Sequence, residues 1–389
     1  MSAAARIGAA GAALRRARPT TPAAAGGWAV LAVIGVLLLL APAIGPNVWV
    51  SQVLTQALWL GIAAVSLTFL SRYGGMISLG QVAIYGIAGF AMANVVHTIN
   101  SEGGLNLGWT PWLGVLFGIA VAVFISFLYG AIASRSYGIY FLMTTLALSL
   151  LVFYFFGQVT QLSGFGGVRD VSHPGFLGDT LTNGTPLFYV CLGASAGVYL
   201  LLRYVVRTPF GIALQGIRDD PPRMASLGYN VPLHRTLAFT LGAFVASIAG
   251  ILSVWYNTQI SPGNIGIGQT LAVLIVAVIG GLSRLEGAWI GALAYTLIEW
   301  YSRSWTPTVG NWLGPGQFNT IIGIVFLLIV LLSPDGLIGI SQRLRRLAAR
   351  TLGDGGAGAI ETAPEERAIP EEAGVAATSG RSGSGMQEG

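Results

Sequence analysis

The chain has no lysine. All 20 of its basic residues are arginine, set against 15 acids, 3 histidines and 1 cysteine. Without lysine there is no GxxxxGK[ST] phosphate loop, so ATP hydrolysis by that route is excluded. Cys191 lies inside an apolar run with no second cysteine to pair with, and reads as a small core residue. His97, His173 and His234 are far apart, with no carboxylate or cysteine at metal-ligand spacing, and read as interfacial or loop residues. No HExxH occurs, and neither a catalytic role nor a resident cofactor is expected of this chain. Charged residues make up 9% of the chain, against roughly 25% in a soluble domain, and hydrophobic ones 54%, which excludes a cytosolic globular fold. Carboxylates are nearly missing from the apolar runs. Glu299 is the main exception, and it reads as interfacial or paired with Arg303 four residues on. Proton-coupled carriers keep ionisable groups near mid-membrane, so a stand-alone secondary transporter is disfavoured.

What remains is an all-α integral membrane protein. Apolar runs of bilayer-spanning length fall at 28–45, 51–70, 76–97, 112–133, 139–157, 187–202, 237–258, 268–283, 287–302 and 318–333. The eighth and ninth are short and glycine-rich, so the runs alone allow eight to ten spans. The arginines choose ten: with the N-terminus inside, eighteen of the 20 fall on the cytoplasmic side and only Arg169 and Arg303 outside. Both termini are then cytoplasmic. Ala41-Pro42-Ala43 resembles a leader cleavage site, but the apolar run before it is longer than a usual signal core and reads as a retained span. Three parts follow: a cytoplasmic segment 1–27, a transmembrane domain 28–340 with a cytoplasmic insertion at 207–231, and a basic stub with an acidic tail at 341–389. From Gly353 onward the tail carries seven acids and two arginines and is expected to be disordered. The positive remainder is explained by the inside rule and anionic lipid, without nucleic acid.

The polar stretch 203–235 is far longer than a connector between spans requires. Thr208 can cap a helix opening at Pro209, placing Phe210, Leu214 and Ile217 on one face. Asp220 before Pro221 repeats the pattern, and Gly228 suits a helix C-terminus. Such an amphipathic pair fits the groove of another subunit, or lies on the headgroups as a solvated loop. The segment from Gly74 to Val96 holds Gly74, Gly75, Gly80, Gly86 and Gly89 with Ser78, Gln81 and Tyr85, which fits either an interrupted helix lining a pathway or tight helix packing. Gly280, Gly281, Gly287 and Gly291 suit close packing. The outer loop 158–186 is long enough to receive a partner or shape an entrance.

These segments resemble the membrane permease of a branched-chain amino acid ABC importer, in particular the LivM-like half of a LivH/LivM pair. Tyr73 to Gly86 resembles the family's "GY-G-SLG-(H/Q)-A-F-G-GAY" segment. Thr208 to Asn230 resembles its cytoplasmic "T-GRAL-AIRD-P-AA-SLGIN" segment. Gly280-Gly281-Leu282 to Gly287 and Gly291, and Ser333-Pro334-Asp335-Gly336-Leu337, resemble later family motifs. Gln81 stands where histidine is common, and Leu285-Glu286 replaces a more apolar pair. The resemblance covers about 50–340. It implies a type II ABC importer permease with about ten helices in the bacterial plasma membrane. The implied partners are a LivH-like sister permease, two cytosolic ATPase subunits and an extracytoplasmic substrate-binding protein. It also implies an ATPase-coupling element built from Thr208, Pro209, Gly211, Leu214, Gly216, Ile217, Arg218, Asp219, Asp220, Pro221, Ala225, Leu227 and Gly228. A pathway through Ser78, Gly80, Gln81 and Tyr85 is expected. Branched-chain amino acids are the expected solute, with urea or short amides the alternative within the same family.

Overall fold

The computed structural model describes residues 53–96, 104–178 and 184–305, with isolated helical residues Pro42, Gly323, Ile324 and Leu327. Apart from those isolated residues, the first and tenth apolar runs and the tail lie outside the described part. Among the described residues all regular elements are helical: α1 (Thr55–Gly74), α2 (Gln81–Val95), α3 (Pro111–Ala133), α4 (Ile139–Gln158), α5 (Thr185–Arg207), α6 (Pro209–Asp219), α7 (Pro221–Ser226), α8 (Val231–Asn257), α9 (Ile267–Gly280) and α10 (Gly287–Trp305). Of these, α1, α3, α4, α5 and α8 are long and apolar enough to cross a membrane. With its family, established below, this makes the chain a multi-pass membrane protein.

Helix α8 forms the centre, packed against α1, α2 and α3, while α10 and α9 cover α1, and α4 covers α2. The most apolar stretches of α1 and α8 are 83% and 72% buried, against 22% in α3 and 33% in α4 and α5. The sequence of α3 shows why. Gly114, Gly118, Ala122, Ser126 and Gly130, spaced by four, face inward, while Leu116, Phe124 and Ile132 stand 66%, 63% and 68% exposed. Small residues inside and large apolar ones outside is the pattern of a helix bathed in lipid. Cys191 is fully buried on α5, in the core role its isolation suggested.

Two of the expected spans are shorter than their apolar runs. The third run begins at Met76, yet helix α2 starts only at Gln81, and Met76–Gly80 is irregular. The eighth yields the 14-residue α9, entered through a short 3-10 turn at Pro262–Ile265. At the start of the first break, Gly75 takes the left-handed φ of 62° and closes α1. The glycines of α9 and α10 pack backbone to backbone: a Cβ on Gly280 would collide with the Gly287 carbonyl, and one on Gly291 with that of Val276.

Candidate coupling segment and interrupted span

Helices α6 and α7 form where the local chemistry predicts. The Thr208 side chain accepts from the Gly211 N–H at 3.5 Å, with Pro209 following it. Asp220 Oδ1 accepts from the Arg223 N–H at 3.0 Å, with Pro221 following. Gly228 is left-handed at φ 90°. A third cap went unread in the sequence: Asn230 Oδ1 accepts from the Leu233 N–H at 3.1 Å and opens α8 ahead of Pro232.

The orientation differs from a freely presented amphipathic helix. Ala213, Leu214 and Ile217 are buried, and α6 packs on α1, α5 and α8 of its own chain. The apolar face is therefore spent on the bundle. Of the expected coupling residues, Gly211, Leu214 and Ile217 lie on this anchoring face, and Thr208, Gly216 and Pro221 are half-buried. Pro209, Arg218, Asp219, Asp220, Ala225, Leu227 and Gly228 form the exposed face, joined by Ile212 and Tyr229.

Two arginines fix this end of the bundle. Arg218 Nη1 donates to the Arg72 carbonyl at 2.6 Å, one of the carbonyls left without a partner at the end of α1. Arg235 is 4% exposed. It donates from Nη1 to the Ser134 carbonyl at 3.0 Å, so closing α3, and its Nε lies 3.2 Å from Met76 Sδ. Its guanidinium also sits 4.2 Å from the Tyr137 ring centroid. As a loop arginine counted only for orientation, Arg235 gave no sequence sign of this burial.

The interrupted span lies next to this anchor. Leu79 N–H donates to Thr145 Oγ1 at 3.1 Å, and Ser149 Oγ donates to the Leu79 carbonyl at 2.7 Å. Two hydroxyls one turn apart on α4 thus satisfy backbone that has left the helix. Their spacing in an otherwise apolar run was the available signal. Ser78, Gly80, Gln81 and Tyr85 are all buried. Gln81 is 2% exposed, and neither atom of its amide has a hydrogen-bond partner among the described residues. A buried unpaired amide costs about 1–3 kcal/mol, so Gln81 contributes no stability through its amide here.

Met76 meets Arg235 in the first turn of α8, whereas the Tyr85 hydroxyl donates to Ser253 Oγ near its far end. Along α8 that separation is roughly 27 Å at 1.5 Å per residue. The break and α2 together therefore climb most of the bundle. At the upper end Tyr85 lines a cavity of about 310 Å³ with Gln56, Ser253, Asn257, Asn264 and Glu299. Gln56 Nε2 donates to Glu299 Oε2 at 2.9 Å; the expected Arg303 pairing lies outside the described side chains. Close in sequence to this lining, the long loop after α4 is tied to the segment after α8, where Val168 and Ile260 exchange backbone hydrogen bonds at 2.8 and 2.9 Å. Ser78, Gly80 and Gln81 do not line this cavity, so the four expected pathway residues divide between two levels.

The family described as "Branched-chain amino acid transport system / permease component" matches residues 49–332, and the chain belongs to it. Similar proteins include the high-affinity branched-chain amino acid permease LivH of Escherichia coli K12, 24% identical over 71% of this chain and 91% of that protein. A probable branched-chain amino acid permease LivM of Methanocaldococcus jannaschii is 23% identical over 68% of this chain and 80% of its own length. The nucleoside ABC transporter permease NupC of Lactococcus lactis is 26% identical over 67% and 84%. No solved structure matches significantly. The chain is an ABC transporter permease.

Proposed function

We propose that this permease imports branched-chain or related hydrophobic amino acids across the bacterial plasma membrane. It would do so as the LivM-like partner of a LivH-like sister, with ten spans, a type II importer architecture and both termini in the cytoplasm. Two separate cytosolic ATPases supply the energy, an extracytoplasmic binding protein delivers the solute, and this chain binds no cofactor. The observation that carries the reading is the α6–α7 segment. It is capped at each start, anchored by its apolar face and tied by Arg218 to the end of α1. A rigid piece so fixed transmits a push from a partner to the core helix of the bundle instead of absorbing it. Ser78, Gly80, Gln81 and Tyr85 lie along the span through which the solute passes, where irregular backbone is tolerated inside protein.

A second solute class has one observation in its favour. The cavity beside Tyr85 carries the amide side chains of Gln56, Asn257, Asn264 and Gln269, a lining suited to urea or a short amide.

Purification of the chain from native membranes, with mass spectrometry of its companions, tests the assembly. Two ATPases and a second permease should co-purify; a chain that purifies alone and transports without ATP would make it a secondary carrier. Uptake of labelled leucine, urea and a nucleoside by the reconstituted assembly then separates the solutes. Urea uptake without leucine uptake would decide for the second class.

A further inference from the structure

A second cavity, of about 280 Å³, opens at the arginine-rich end between the last turns of α1 and α5 and the turn joining α9 to α10. Four guanidinium groups line it, those of Arg72, Arg203, Arg207 and Arg284, against the single carboxylate of Glu286. Tyr199, Arg203 and Arg207 recur at spacing four and so share one face of α5. Glu286 is committed to one side of the cavity: its Oε1 accepts from the Tyr199 hydroxyl at 2.7 Å, and that hydroxyl oxygen accepts from Arg203 Nη1 at 2.7 Å. The side chains of Arg72, Arg207 and Arg284 donate no hydrogen bond within the described residues. The rule that places arginine on the cytoplasmic side sets the side and not the position. It leaves unexplained why cations from three separate segments converge on one concavity, where they repel each other.

We propose that this cavity binds a phosphate group, from an anionic phospholipid headgroup or from a soluble phosphate. Guanidinium forks match phosphate oxygens in pairs, and several together can hold a dianion or a headgroup diester. Occupancy would bind α1, α5 and the α9–α10 turn together directly beside the coupling segment. The Arg72 carbonyl already holds Arg218, and Arg207 immediately precedes the Thr208 cap. The site depends on neither the solute nor the direction of transport.

The test uses the full chain in phosphatidylcholine nanodiscs, read by thermal unfolding. Phosphatidylglycerol is incorporated in one arm, and in the other sodium phosphate is added against sodium chloride of equal ionic strength. The variant R72Q/R284Q removes two of the cavity's four guanidinium groups. R135Q/R223Q removes the same charge from elsewhere at the same end. A rise of about 3 °C in the wild type and in R135Q/R223Q, absent in R72Q/R284Q, supports the site. A rise with the lipid alone identifies a headgroup, and one with phosphate identifies a soluble source. E286Q keeps the acceptor for Tyr199 while removing the opposing charge, and should strengthen the response. Equal responses in wild type and R72Q/R284Q, or none in either arm, would overturn the proposal. Should the double variant fail to accumulate, R284Q alone is read by native mass spectrometry, where undiminished retention of both lipid and phosphate has the same adverse meaning.

Discussion

Arg218 spans 146 positions of sequence to donate to the Arg72 carbonyl at 2.6 Å, while its Nε and Nη2 hold Asp219 Oδ1 at 2.8 and 2.7 Å. Gly75 leaves room for this: a Cβ there would lie 2.6 Å from Arg218 Cγ. The end of the core helix and the last turn of α6 are thus one joint.

Removing that joint should uncouple more than it unfolds. The ion pair is solvent-accessible, so Arg218→Ala should cost only about 1 kcal/mol. Uptake and permease-stimulated ATP hydrolysis should fall about fivefold at unchanged abundance in the membrane. Gly75→Ala adds a strained backbone to the crowding and should cost about 1–3 kcal/mol, visible as a lower unfolding midpoint. Wild-type uptake in Arg218→Ala would remove the joint from the mechanism.

The Asp220 cap controls α7, which buries no residue of its own. Replacing Asp219 and Asp220 with alanine should cost about 1 kcal/mol at the cap, speed amide exchange over 223–226 and abolish uptake while leaving insertion intact. Gly216→Leu should act similarly, since a Cβ there would lie 2.8 Å from Met224 Sδ and drive α7 away from α6. Full transport by either variant would count against the coupling role.

Glycines at two places should give opposite signs. Gly280→Ala sets a methyl against backbone of α10, which cannot yield as a side chain can, and should destabilise by about 1–3 kcal/mol. Gly193 is exposed on α5 and a Cβ there meets nothing within 4 Å. Gly193→Ala should be neutral or stabilising by up to about 1 kcal/mol. Thermal unfolding of the two variants side by side checks the pair.

Gln81 separates stability from transport. Gln81→Leu removes an unpaired buried amide and should raise the unfolding midpoint, by the equivalent of about 1–3 kcal/mol. The same change should lower uptake roughly tenfold. A variant that is more stable and fully active would show the amide to be idle.

The caps were legible in the sequence because a cap is a local event. Thr208-Pro209, Asp220-Pro221 and Gly228 each satisfy or end a helix with atoms a few residues away, and each appears where the pattern places it. Five of the apolar runs, those that became α1, α3, α4, α5 and α8, were equally legible, since hydrocarbon demands length and apolarity whatever the neighbours. Relationships between distant segments were not. Nothing around Arg235 announces that it closes α3, and nothing in 203–235 tells whether Leu214 faces a partner or its own bundle. The break at Met76–Gly80 is intermediate. Glycine and serine hinted at it, but the rescue comes from Thr145 and Ser149, about 70 positions away.

That rescue has a mechanical consequence. A continuous helix widens a passage only by bending against a ladder of mutually reinforcing bonds. At Leu79, the N–H and carbonyl are held instead by two hydroxyls of α4. Each is worth about 1 kcal/mol net, and each can be exchanged separately for water. The backbone of this segment can therefore yield there in small steps while α2 remains a helix.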